Sequence, residues 1–189
     1  MRASLLLEIV AWAAYLSSTA TILTFISGIL FFRFGKWLGK ANDIFSVFQV
    51  LLMIPLVFLF NSLMTPPRYA TIIITSLFGL GGMLISAYGQ IRLIIGAINF
   101  AESQKYFPAG GAIGFWIILA NIFSISSGEL PTLMVLTGIG AGAGYLLIAG
   151  GFLKGGQNDP VFYIGSLMVG ICYPVWGYWM GAAIHASLG

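Results

Sequence analysis

The chain has 189 residues, of which 59% are hydrophobic and 7% charged, where a soluble domain carries about 25% charged residues. Eight basic and five acidic side chains give a net charge of +3, with no basic run or stripe, which excludes a nucleic-acid-binding surface. Cys172 is the one cysteine, so an intrachain disulfide and any cysteine-based metal site are excluded.

Six long apolar stretches separated by short polar breaks predict an all-α fold: a polytopic transmembrane bundle of six helices, forming one integral membrane domain over residues 1–189. Each stretch suits the roughly 20 residues that cross a bilayer. In lipid every backbone polar group must be satisfied within its own segment, and the alternating pattern of a transmembrane barrel is missing. Met1-Arg2, with no small-residue cleavage site after a short apolar core, does not resemble a removable signal peptide.

The first helix is expected from about Leu5 to Phe32. Glu8 lies in its first turns. A desolvated carboxylate there would be a proton or cation carrier; in the headgroup zone it stays wet. Ser17, Ser18, Thr19, Thr21 and Thr24 follow and can bond back to carbonyls of their own helix. Gly35, Lys36, Gly39 and Lys40 read as the first break, and a second helix is expected from about Asp43 to Leu63, carrying Gln49. Pro66, Pro67 and Arg68 form the second connection, since consecutive prolines do not fit a helix ladder.

The third helix, from about Tyr69 to Phe100, is expected to be the longest and holds Tyr88, Gln90 and Arg92 close together. An arginine at a helix centre costs about 2.5–3.5 kcal/mol on insertion scales; near a helix end it snorkels. A cluster of Arg92 with Gln49 or Asp43 would make an anion or headgroup site at the cytoplasmic mouth. The fourth helix runs from about Ala109 to Ser126, after a connection of Glu102 to Lys105, Pro108, Gly110 and Gly111. Pro131 opens the fifth, as suits a first turn, and this helix reaches about Leu153. Its Gly138, Gly140, Gly142 and Gly144 form small-xxx-small pairs that let helices approach closely. They mark either the packed centre of the bundle or a dimer seam or pathway, for which Gly79, Gly81 and Gly82 offer a matching surface. The sixth helix, from about Pro160 to Leu188, contains Pro174, expected to kink it. Tyr173 and Trp176 would then line a cavity opened by the kink, while Trp179 and Tyr178 suit an interfacial aromatic belt.

The basic residues set the expected orientation. Arg33, Lys36, Lys40, Arg92, Lys105 and Lys154 fall toward one face, Arg2 and Arg68 toward the other. The richer face is expected to be cytoplasmic, with both termini outside a prokaryotic cytoplasmic membrane. His185 is the one histidine, so bis-histidine haem within the chain is excluded. No HExxH, phosphate-cradling loop or acidic metal motif is present, and no catalytic or metal residue is assigned. The sequence leaves any cofactor unspecified.

Leu130-Pro131 before the glycine-rich stretch Gly138 to Gly151, then Pro174-Val175-Trp176 followed by Gly181, resembles a bacterial family of uncharacterised polytopic membrane proteins known only as a domain of unknown function. The likeness is confined to the C-terminal half. It implies a fold and a membrane address, and no chemistry.

The expected function is non-enzymatic: an interaction or accessory subunit packing through glycine-rich helices and holding a lipid-like ligand near Trp176. Its expected partners are membrane lipids and a homo-oligomer or larger membrane complex, with no nucleic acid. A small-solute or ion transporter or channel is the alternative, and an intramembrane enzyme acting on a lipid the second.

Overall fold

The computed structural model describes residues 2–62, 69–127 and 130–188. Six segments are long and apolar enough to cross a membrane: Ser4–Phe31, Trp37–Ser62, Tyr69–Ile94, Phe100–Ile125, Thr132–Asn158 and Pro160–Ala186. The protein is an all-helical, multi-pass membrane protein. Pro66, Pro67, Arg68 and Leu63, and Gly128 and Glu129 of the fourth connection, lie outside the described residues.

Helix α1 spans Arg2–Phe34 and α2 spans Lys36–Leu52. The first break is therefore far shorter than the sequence suggests. Gly35 alone reverses the chain, at φ 113° and ψ 179°, a backbone conformation that side chains disfavour. Lys36 to Asn42 are helical. Gly39 is a packing position: a β-carbon there would meet the Phe31 ring at 3.0 Å. Asn42 Nδ2 donates to the Thr24 carbonyl at 2.7 Å and ties the two helices together.

The second span is interrupted. After α2 the chain resumes as α3, Ile54–Ser62, with a turn at Met53 in which Leu56 N–H reaches the Met53 carbonyl at 3.0 Å. Pro55 explains it, because proline has no N–H and its ring clashes with the preceding turn. Pro174, where the sequence suggests a disruption, is carried inside the continuous helix α8, Pro160–Ala186.

Helix α4 covers Tyr69–Ile94 and ends six residues earlier than its apolar run. Gly96 takes φ 74°. Gly96 N–H bonds to Leu93 O at 3.1 Å and Ala97 N–H to Arg92 O at 2.9 Å. That bond pair is a Schellman end, which satisfies carbonyls of the last turn. A capping box of Asn99 and Glu102 opens the short helix α5, Phe100–Ser103. A tight helical turn over Gln104–Ala109 leads into α6, Gly110–Ser127. Helix α7 is Thr132–Gly155. Asp159 caps α8, accepting from Val161 N–H at 2.8 Å, with Pro160 in the first turn.

The spans form a closed ring. In chain order α1 packs on α2, α2 and α3 on α4, α4 on α6, α6 on α7 and α7 on α8, and α8 closes back on α1. Between 33% and 44% of the most apolar stretch of each span is buried, so no span is a central post. Helix α7 is one wall of the ring. Its middle is filled by Trp116, Trp176, Tyr173, Phe60, Met53 and Met83, each essentially without exposed surface.

Candidate functional site

The interior carries polar pairs that only the fold brings together. Gln49 Nε2 donates to Tyr145 Oη at 2.5 Å, and Tyr145 O–H points to Met53 Sδ at 3.9 Å. Tyr173 O–H donates to Ser17 Oγ at 3.0 Å, and Ser17 O–H passes on to the Ala14 carbonyl at 3.1 Å. The rings of Tyr145 and Tyr173 meet edge-on, 6.4 Å apart at 87°. Ser17, Gln49, Tyr145 and Tyr173 lie near the middle of their spans, where an unmatched polar group costs several kcal/mol. Toward the terminal face, Trp176 Nε1 donates to Asn121 Oδ1 at 3.0 Å, and Phe60 stacks on Trp176 at 5.9 Å.

Trp176 is 0% exposed. Phe60, Tyr173 and Asn121 enclose it, so Tyr173 and Trp176 are core rather than cavity wall. Most helix-one hydroxyls are internal glue: Ser18 bonds to Ala14 O at 2.8 Å and Thr21 to Ser17 O at 2.8 Å. Thr19 also reaches Tyr178 Oη at 2.8 Å, binding α1 to α8.

Arg92 stands elsewhere, in the last turn of α4. It lies 3.5 Å from Tyr88 Oη and from Tyr106 Oη, with its guanidinium carbon 5.6 Å from the Tyr88 ring centre. It does not join Gln49, which is committed to Tyr145. Nor does it join Asp43: among the described residues the one cation–carboxylate pair is Lys154–Asp159 at 4.0 Å. The expected trio also divides. Tyr88 and Arg92 are four residues apart and share a helix face, whereas Gln90 is two away and points off it; its Oε1 is buried without a partner.

Glu8 is exposed on the outside of the ring. It lines a shallow groove of about 440 Å³ with Trp12, Ala13, Leu16, Leu52 and Pro55 among others, so it does not share an interior path with the helix-one hydroxyls. On the neighbouring face His185 Nδ1 is 3.4 Å from Tyr15 Oη, with the Trp12 ring edge-on at 5.9 Å.

The α7 glycines are used within the ring. A β-carbon at Gly138 would meet the Asn121 amide, and one at Gly142 the Gly114 carbonyl and Ile118, all on α6. On the other side Gly140 faces Cys172 and Gly144 faces Gly165 and Met168, on α8. Gly79 and Gly82 of α4 pack on α6, against Trp116 and Ala112, rather than on α7. Gly81 has nothing within 4 Å. It opens onto a second outward groove, of about 310 Å³, lined by Leu77, Phe78, Gly81, Gly82, Ile85, Ala109 and Ala112.

Tyr145, Asn121, Tyr106 and Lys105 are the residues that sequence reasoning passed over as site members. Two carry a signal in hindsight: Tyr145 ends a run of glycine and alanine, and Asn121 is a carboxamide inside an apolar helix. Among the described residues no group of three or more His, Cys, Asp or Glu side chains is positioned to hold a metal. Comparison with protein-family models, with curated proteins and with solved structures finds no match to this chain.

Proposed function

We propose that the protein is a non-enzymatic, membrane-embedded interaction subunit whose docking seat is the outward groove between α4 and α6. The carrying observation is Gly81, open to the outside amid the large side chains of Leu77, Phe78 and Ile85. In lipid, helices associate by close packing, and a small residue between bulky ones gives a partner helix somewhere to enter. The packed interior supports the same reading, because Trp116, Trp176 and Phe60 fill the space that a channel would leave open. The occupant we assign is a transmembrane helix of a second copy of this chain. The basic face is assigned to the cytoplasm of a prokaryotic cell, with the termini outside. The C-terminal resemblance to an uncharacterised membrane family adds an address and no activity.

The test is cysteine crosslinking in native membranes, with Cys172→Ser as background and Gly81→Cys as probe. Crosslinked species at Gly81, but not at exposed Ile171 on α8, are expected. Free monomers throughout, by crosslinking and by native mass measurement, would remove the proposal.

A second reading, a small-solute pathway, is favoured by one arrangement. The Gln49–Tyr145 and Tyr173–Ser17 pairs sit at mid-depth, and Gln49 lies four residues before the break of the second span at Met53. Interrupted helices at the bilayer midplane are where many transporters hold their substrates. Flux of protons or small polar solutes into proteoliposomes, lost in Gln49→Ala and Ser17→Ala, would establish it; absence of flux for the unaltered protein would dismiss it.

A further inference from the structure

We propose that Arg92, Lys105, Tyr88 and Tyr106 form a seat for the phosphate of an anionic phospholipid, at the ring face that carries the first, third and fifth connections. The inference rests on this cluster alone and does not depend on the docking groove.

The cluster is built by the end of α4. The Schellman turn at Gly96 stops the helix within one turn of Arg92, which leaves a cation at the negative end of the helix dipole. Tyr106 is pressed against bare backbone, since a β-carbon at Gly89 would meet it at 2.6 Å. Its ring therefore has a fixed position, with the Arg92 guanidinium 3.5 Å from its hydroxyl and the Lys105 ammonium 5.2 Å from its ring centre. The Tyr88 ring stands edge-on to it at 5.8 Å.

Two positive charges thus flank one aromatic ring, and among the described residues neither has a carboxylate partner. The acidic side chain of the same connection is already engaged: Glu102 Oε2 accepts Asn99 N–H at 2.9 Å. A guanidinium offers five donors, and two phenol oxygens at 3.5 Å, near the limit of hydrogen-bond length, leave most of that capacity unused. The missing component is an oxyanion with several acceptor atoms. At a span end, where a chain leaves hydrocarbon, the abundant group of that kind is the lipid phosphate, and basic pockets beside transmembrane helices hold anionic headgroups in this way. Two cations around one phosphate favour a lipid with net negative charge over a zwitterionic one.

The test uses the whole protein in detergent, titrated with phosphatidylglycerol, phosphatidylcholine or inorganic phosphate, and read by native mass spectrometry and by the unfolding temperature. Phosphatidylglycerol is expected to bind and raise the unfolding temperature more than phosphatidylcholine, with inorganic phosphate without effect at equal concentration. Arg92→Ala with Lys105→Ala should weaken phosphatidylglycerol binding about ten- to a hundredfold, as the loss of charge-assisted hydrogen bonds implies. If the double variant does not fold, Lys105→Gln alone, at an exposed position, should still weaken binding severalfold. Unchanged binding in the variant that folds, or equal binding of phosphatidylcholine, overturns the proposal. An equal effect of inorganic phosphate assigns the site to a soluble anion and overturns the lipid assignment.

Discussion

Trp176 and Asn121, 55 positions apart in the chain, are joined by a 3.0 Å hydrogen bond, and the Asn121 amide rests on the bare backbone of Gly138. Three spans meet at this point, α8, α6 and α7. The glycine is there because the carboxamide needs the room.

Gly138→Ala is therefore expected to push Asn121 away from Trp176 and to destabilise the protein by about 1–3 kcal/mol, the usual range for overpacking a filled core. Gly150→Ala, on the same helix with nothing within 4 Å, should be neutral or slightly stabilising because alanine favours helix. Thermal unfolding in detergent of the two variants side by side separates close packing from helix propensity. Equal effects at both positions would count against the packing account.

Tyr145→Phe removes the oxygen that receives the Gln49 amide. A hydrogen bond between membrane helices contributes about 0.6 kcal/mol on average and up to ~1.7, and the stranded amide places this variant toward the upper end. Gln49→Leu in the same background should recover part of the loss. A double-mutant cycle on unfolding free energies measures the coupling, and strictly additive effects would show that the pair does not interact.

Asp159→Ala should cost about 1 kcal/mol, the usual loss when a side-chain helix cap is removed, because Val161 N–H loses its acceptor. Lys154→Ala should change stability little: its ion pair with Asp159 is long, at 4.0 Å, and the lysine is 76% exposed, where such pairs contribute about 0–1 kcal/mol. Unfolding measurements that reversed this order would place the contribution of Asp159 in charge rather than in capping.

Gly81→Leu places a side chain in the outward groove at a position where a β-carbon meets nothing within 4 Å. Its unfolding temperature should match that of the unaltered protein, while crosslinked or co-purified assemblies should fall severalfold. Assemblies that persist at full yield would place the contact on another face.

Six spans are legible in the sequence because hydrocarbon imposes length and apolarity on any segment that crosses it. The ends of elements are less so, for reasons visible at particular residues. Lys36, Gly39 and Lys40 look like a loop by composition, yet one residue, Gly35, makes the whole reversal. The stop of α4 was written in Gly96 and in the Asn99–Glu102 capping box, but the apolar residues around them obscure it. Of the prolines near the middle of a span, Pro55 coincides with a break and Pro174 does not. Partner choice is the least legible level. Gln49 finds a tyrosine 96 positions away, and Arg92 finds one in the next connection; no spacing rule within a helix encodes either.

The packing of α8 back onto α1 has a consequence for biosynthesis. Spans enter the bilayer in the order in which they are made, so the Ser17 and Thr19 hydroxyls of α1 lack their partners on α8 until Tyr173 and Tyr178 arrive with the sixth. A nascent chain halted before α8 is an open arc with a polar flank, the sort of unfinished product that membrane quality-control proteases extract. Arrival of the final segment acts as the latch of the assembly, and cells expressing versions cut short of Pro160 should clear them much faster than the whole protein.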